Sequence, residues 1–314
     1  MKKIIVTVSR RTDIPAYYAD WFKARLELGY GFYPNPYSQK PVFIDLTPQA
    51  VKAFVFWTRN PKPLFKHLDY IDEKYEKRHY MHLTINGLPE ALEKRNPKIE
   101  FAISSAEYLA KRYGPDYVQW RFDPIIFSSI TSRDYILRTF ESLTTKLEGI
   151  TNRCYFSFVD LYEKTKRNFR KVSEKEEISF QSTGIAEQTD LVEEFISIAA
   201  SKKISLYACA EDQLLETIPG LNKAHCVDAD IIDRICSNGG TLDYDSSPSR
   251  IGCGCIESKD IGYYDSCPHG CIYCYANMDP EKAFENAKEY MLRGFPMDNL
   301  IKEELKDNQG KLFE

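Results

Sequence analysis

Short apolar and aromatic runs alternate with helical patterns along this chain, and that rhythm limits the fold more than any other feature. The runs fall at 4–8, 54–57, 80–85, 117–122, 154–159 and 204–208, and helical spacing marks 16–28, 105–113, 133–147, 191–201 and 230–236. A crossover helix returns the chain to the same edge of a sheet, so such alternation argues for parallel strands covered by helices. A further strand candidate, 261–264, precedes a last helix pattern at 280–292, which opens with Asp279 as cap and Pro280 in the first turn. The expected architecture is α/β, a full or partial (β/α) barrel of the TIM type forming one domain over 1–314. With 43% hydrophobic and 13% aromatic residues the chain can fill a large core and is too apolar to be disordered. The charged stretch 163–188 interrupts the rhythm and reads as a surface insertion or a lid.

Charge narrows the function. The 42 Lys and Arg against 46 Asp and Glu leave a net charge of -4, which disfavours nucleic acid as a partner held by bulk charge. The apolar run after Lys2 and Lys3 is too short for a signal-peptide core, and no stretch approaches a membrane span. The expectation is a cytoplasmic protein without a membrane partner, in which thiols stay reduced and clustered cysteines bind metal. No phosphate loop or nucleophile elbow is present.

Polar groups gather just after the strand candidates. Ser9, Arg10, Arg11 and Asp13 follow the first, Arg59 the second, and Arg121 with Asp123 the fourth. Parallel strands bring these ends to one mouth, where α/β barrels place their chemistry. Arg10, Arg11, Asp13, Arg59, Arg121 and Asp123 are therefore the candidate catalytic groups. The arginines either brace the rim against the two aspartates or bind an anionic ligand.

The nine cysteines are the sharpest signal. Cys267, Cys271 and Cys274 stand at C-x3-C-x2-C spacing on a loop before a helix, within a cysteine-rich segment at 253–278. Three thiolates so close can meet on zinc or on the irons of an iron–sulfur cluster. Zinc would need a fourth ligand, for which His269 or a remote cysteine could serve. Cys209, Cys226, Cys253 and Cys255 could together hold an auxiliary iron–sulfur cluster or a structural zinc, or be buried as small apolar residues. Cys154 and Cys236 read as core.

With Tyr273 directly before the third cysteine, the Cys267, Cys271 and Cys274 loop resembles the cluster loop of radical S-adenosylmethionine (SAM) enzymes. The resemblance implies a [4Fe–4S] cluster with one iron open to SAM, reductive cleavage to a 5′-deoxyadenosyl radical, and an electron donor such as flavodoxin or ferredoxin. It makes Ser9, Tyr273, Tyr275 and Asn277 candidate cofactor-binding residues beside the three metal ligands. That family carries the loop after the first barrel strand, so the late position here implies a circularly permuted order with 4–8 as neighbour of 261–264. Its Gly-Gly-Glu is absent, and Asp13 or Ser9 would have to substitute. The whole chain also resembles a bacterial family of unassigned function through Ser9 to Pro15, Arg121 to Ile125 and the cysteine block. The Trp57 to Pro61 and Arg121 to Pro124 segments are distantly similar to spore photoproduct lyase-like proteins. The competing readings are a zinc-stabilised barrel, acting as a hydrolase or a binding protein, and a nucleic-acid-binding module. The substrate is left open, with the arginines favouring an anionic one.

Overall fold

The computed structural model describes residues 3–35, 38, 40–236, 244–247 and 251–296. In chain order its strands are β1 (Ile4–Val8), β2 (Tyr30–Pro34), β3 (Pro41–Asp45), β4 (Val51–Thr58), β5 (His79–Thr84), β6 (Val118–Ile125) and β7 (Phe127–Ser128). They continue with β8 (Arg153–Phe158), β9 (Phe180–Gln181), β10 (Ser205–Ala208), β11 (Asn222–Lys223) and β12 (Lys259–Asp260). Eight of them form one sheet in the order β12-β1-β4-β5-β6-β8-β10-β11. Every pairing in it is parallel. β2 and β3 make a separate hairpin, and β7 pairs with β9.

Counted from β12, each sheet strand lies beside the one before it in winding order, without reversal. Doubly wound sheets reverse at a switch point, whereas barrel-type sheets do not. The sheet is strongly curved. Tyr80 and His82 are two apart on β5 and so share a face. Both donate to the carbonyl of Cys226, at 2.8 and 2.7 Å, in the segment after β11. The amide of Ile256 reaches the carbonyl of Val227 at 3.2 Å, bringing the approach to β12 against that same segment. Among the described residues no ladder joins β11 to β12 and no closed barrel is seen.

The last strand differs from expectation. It covers Lys259–Asp260 rather than 261–264, with Thr7 opposite Asp260. Ile261 still donates to Thr7 at 3.2 Å, but the Asp260 carboxylate then captures the Gly262 amide at 2.8 Å and turns the chain away. β11 was not foreseen because its two residues, Asn222 and Lys223, are polar and exposed. The expected adjacency of the first and last strand candidates is present.

Helices pack on the outer face. Phe22, on the helix Ala19–Leu28, meets Phe54 and Phe56 of β4 edge-on at 5.5 and 5.8 Å. Phe140 and Phe195 stack at 3.9 Å beneath Trp120 and Phe122. Each such ring, fully buried, contributes roughly 1.5–3 kcal/mol over leaving it in water. The stretch 163–188 is mostly exposed but structured. It holds the helix Glu163–Glu176, whose Thr165, Asn168 and Phe169 are buried, then β9 and the start of the helix Ile185–Ser201. Among the described residues no helix is long and apolar enough to cross a membrane.

Candidate metal centre at the strand ends

Asp260, at the end of β12, organises the loop after β1. Its buried carboxylate accepts from Thr7 Oγ1 at 2.9 Å, Ser9 Oγ at 2.6 Å, and the amides of Arg10 and Gly262 at 2.8 Å each. Arg10 Nε stands 3.6 Å away. Burial opposes its charge, but Arg10, Arg11 and the hydrogen-bond donors outweigh it and hold the carboxyl below its ordinary range. Ser9 Oγ also accepts from the amide of Arg11 at 2.9 Å, so this hydroxyl is committed to the loop. Gly262 is required here: a Cβ would lie 1.8 Å from Ser9 Oγ.

Asp13 ties that loop to two others. One oxygen caps the short helix Ile14–Tyr17 through the Ala16 amide at 3.0 Å. The other accepts from the Arg59 amide at 2.8 Å and from His269 Nε2 at 2.7 Å. His269 Nδ1 faces the Tyr17 hydroxyl at 3.2 Å and the Arg95 carbonyl at 3.3 Å. Both ring nitrogens of this buried histidine are thus engaged, which removes it as a fourth zinc ligand.

The cysteine loop is held by a buried ion pair. Glu93 Oε2 and Oε1 accept from Arg59 Nη1 and Nη2 at 3.1 and 2.9 Å. The same carboxylate accepts from Asn86 Nδ2 at 2.9 Å, from Asn96 Nδ2 at 2.5 Å and from the Tyr273 hydroxyl. Arg59 also donates to that hydroxyl. Glu93 forms a backbone bridge with Cys271, Ile272 donates to the Leu92 carbonyl at 3.1 Å, and Arg95 donates to the His269 carbonyl at 3.0 Å. On the other flank, the helix Glu163–Glu176 grips the loop through Lys164 to the Tyr275 carbonyl, Arg167 to the Met278 carbonyl, and Asn168 to the Ile272 carbonyl at 3.1 Å.

Inside this frame the amide of Ala276 donates to Cys274 Sγ at 3.3 Å, and Asn96 Nδ2 lies 4.0 Å from Cys271 Sγ. Asn277 Nδ2 holds the Cys267 carbonyl at 2.8 Å, so this residue braces the loop from within. Its Oδ1 is buried with no hydrogen-bond partner. Burial pushes the Cys271 thiol up to about 12, against the pull of Arg59. Among the described residues no group of three or more His, Cys, Asp or Glu side chains is arranged to hold a single ion. Three thiols on one loop are a donor set that iron–sulfur clusters use, as single soft ions do. N–H donors aimed at sulfur are what such clusters receive.

The other four cysteines named from sequence also come together. Cys209 Sγ lies 3.7 Å from Cys226 Sγ, Cys226 is in hydrogen-bonding contact with Cys255, and Cys255 with Cys253. Arg121 Nη1 stands 3.0 Å from Cys226 Sγ, and its Nε lies 3.0 Å from Asp123, which Ser157 also contacts. Arg59 and Arg121 are therefore each paired with a carboxylate. Arg11 is different: it lies over Tyr33 and Tyr264 and reaches the Gly262 carbonyl at 3.4 Å, and among the described residues it acts on Asp260 only from a distance, with no carboxylate in direct ion pairing. Tyr275 is half exposed, and its hydroxyl donates to the Arg10 carbonyl. Cys154 is buried, as expected for core.

Glu93 and Asp260 were missed by sequence reasoning. Glu93 sits in a charged segment that reads as surface, and Asp260 in the strand that was placed two residues late. For Asp260 the one local signal was an acidic residue two positions before a glycine, Gly262, near a strand end.

No curated protein and no solved structure matches the chain. One family does, over a span that takes in every strand-end residue and both cysteine groups described above. That family is described as a domain of unknown function, DUF1848, and since it matches residues 5–276 the chain belongs to it.

Proposed function

We propose that this protein is a radical SAM enzyme in which Cys267, Cys271 and Cys274 hold a [4Fe–4S] cluster. The observation that carries the reading is a braced loop of three thiols, following the strand that comes first in winding order, with its one nearby histidine already bonded elsewhere. β12 lies late in the chain but outside β1 in the sheet, which supports a TIM-like partial barrel circularly permuted relative to that family. When bound, the cluster would offer an open iron to the amino and carboxylate groups of SAM and deliver the electron for its reductive cleavage.

The chain's own residues orient and exclude. Asp260 fixes the Ser9 to Arg11 turn beside the cysteine loop, and Asp13 locks that turn to Arg59 and His269. Arg59 and Arg121 are neutralised internally, so they position rather than bind. Arg11, without a direct ion pair among the described residues, is the arginine assigned to an anionic group of SAM or substrate. Tyr273 holds the loop through Glu93 and Arg59, while half-exposed Tyr275 is placed to touch a ligand at the mouth.

The test is anaerobic purification followed by iron and sulfide analysis, then SAM turnover with dithionite. About four irons and matching sulfide per cluster, with 5′-deoxyadenosine released, are expected, and both should be lost in Cys267→Ala. Protein without sulfide, or with a cluster but no 5′-deoxyadenosine, overturns the proposal.

A further inference from the structure

We infer that Cys209, Cys226, Cys253 and Cys255 form a second metal site, a four-thiolate centre that pins the two ends of the sheet together. The four residues come from three segments: the end of β10, the stretch after β11 and the approach to β12. Among the described residues the sheet has no ladder between β11 and β12, so this is the seam where a cross-link would contribute most.

The four side chains are not yet arranged to hold a single ion, but two of the sulfurs have the spacing one requires. A tetrahedral centre with metal–sulfur bonds of about 2.3 Å sets its sulfurs roughly 3.8 Å apart, and Cys209 and Cys226 already stand at 3.7 Å. The loop bearing Cys253 and Cys255 is pressed onto both other segments. A Cβ on Gly252 would come 2.8 Å from Asp212 Oδ2 and 3.2 Å from Ala210 Cα, and one on Gly254 would come 2.8 Å from the His225 ring and 3.2 Å from the Ala224 carbonyl. Only glycine at both positions allows so close an approach. His225 Nδ1 holds the Gly254 carbonyl at 2.5 Å.

The surroundings suit a negatively charged thiolate set. The Val227 amide donates to Cys255 Sγ at 3.4 Å, and the Arg121 guanidinium donates to Cys226 Sγ. Without metal the thiols are linked in series, Cys209 to Cys226 to Cys255 to Cys253. Binding would replace each S–H with a metal–sulfur bond, release the protons and draw the outer two sulfurs inward. Zinc and an iron–sulfur cluster share this tetrathiolate chemistry, and composition separates them.

This inference is independent of the cluster proposed at Cys267, Cys271 and Cys274. It is therefore tested in the full chain carrying Cys267→Ala, Cys271→Ala and Cys274→Ala, produced anaerobically with zinc and iron supplied. About one zinc, or about four irons with sulfide, per chain is expected. Cys226→Ser and Cys255→Ser should lower that content by roughly tenfold or more, while Cys236→Ser leaves it unchanged. Because buried replacements can unfold a protein, thiol alkylation of the otherwise unaltered chain gives a second readout. Chelation should then raise labelling at all four cysteines together. Folded protein with no metal, labelling indifferent to chelator, or a Cys209–Cys226 disulfide overturns the inference.

Discussion

Replacing Glu93 by Gln keeps the shape of the side chain and removes its charge. Arg59 and Glu93 form a two-pronged pair whose side chains are only 13% and 4% exposed, so neither is well solvated once its partner is neutralised. Removing one member of a buried pair costs about 3–5 kcal/mol, because the other charge is left uncompensated. The Tyr273 hydroxyl and two asparagine amides lose a charged acceptor as well, within that same figure rather than in addition to it. A typical domain is stable by only about 5–15 kcal/mol, so the variant should lose a large share of its stability. The matched control is Glu281→Gln. That carboxylate bridges Lys94 at 2.8 Å and Arg95 at 2.9 Å but is 58% exposed, so its loss should cost under about 1 kcal/mol. Urea unfolding followed by tryptophan fluorescence measures both. A cost below about 1 kcal/mol for Glu93→Gln, with an unchanged denaturant slope, would refute the claim that this pair holds the cysteine loop.

Gly262→Ala should displace Ser9 from Asp260 and cost about 1–3 kcal/mol by overpacking. Wild-type stability in that variant would show that the turn has room the structure denies it. His79 is buried between Asp72 Oδ1 and the Tyr117 hydroxyl, each at 2.8 Å, and burial lowers its pKa below 6.5 despite Asp72. Below that pH the unfolded chain takes a proton that the folded chain refuses. Stability therefore falls as pH falls, by up to about 1.4 kcal/mol per unit. His79→Gln should flatten the slope from pH 6.5 downward, and an equally steep slope in the variant would be the contrary result. Arg11→Gln should leave iron content intact while raising the SAM or substrate concentration needed for half-maximal turnover, and an unchanged requirement would remove Arg11 from the ligand site.

The strand–helix rhythm was legible because β1, β4, β5 and β8 bury apolar residues on both faces, while β6 and β10 keep a buried apolar residue at every second position, which leaves recognisable apolar runs in the sequence. β11 carries no such run, since its place is set by pairing with β10 and not by its own side chains. The convergence of Cys209 with Cys253 and Cys255 was suggested by the C-x-C pair alone. What stayed hidden is long-range polar bonding. Ser9 meets Asp260 from 251 residues away, and Tyr273 meets Glu93 from 180, distances over which no local pattern carries information. Asp13 shows the converse. Named from sequence as a group at the mouth, it caps a helix two residues before Pro15 and clamps Arg59 and His269.

The position of β12 also sets an order of events during synthesis. Some 250 residues separate β1 from the partner that covers its outer edge, so at about 5–20 residues per second that edge stays unpaired for roughly 12 to 50 seconds. Both thiol-bearing groups are completed only as the same late segment leaves the ribosome. If the proposed sites take metal, its loading must follow synthesis of β1 to β11, and a ribosome that stalls before β12 would leave a nascent chain with an exposed strand edge ready to pair with a neighbour.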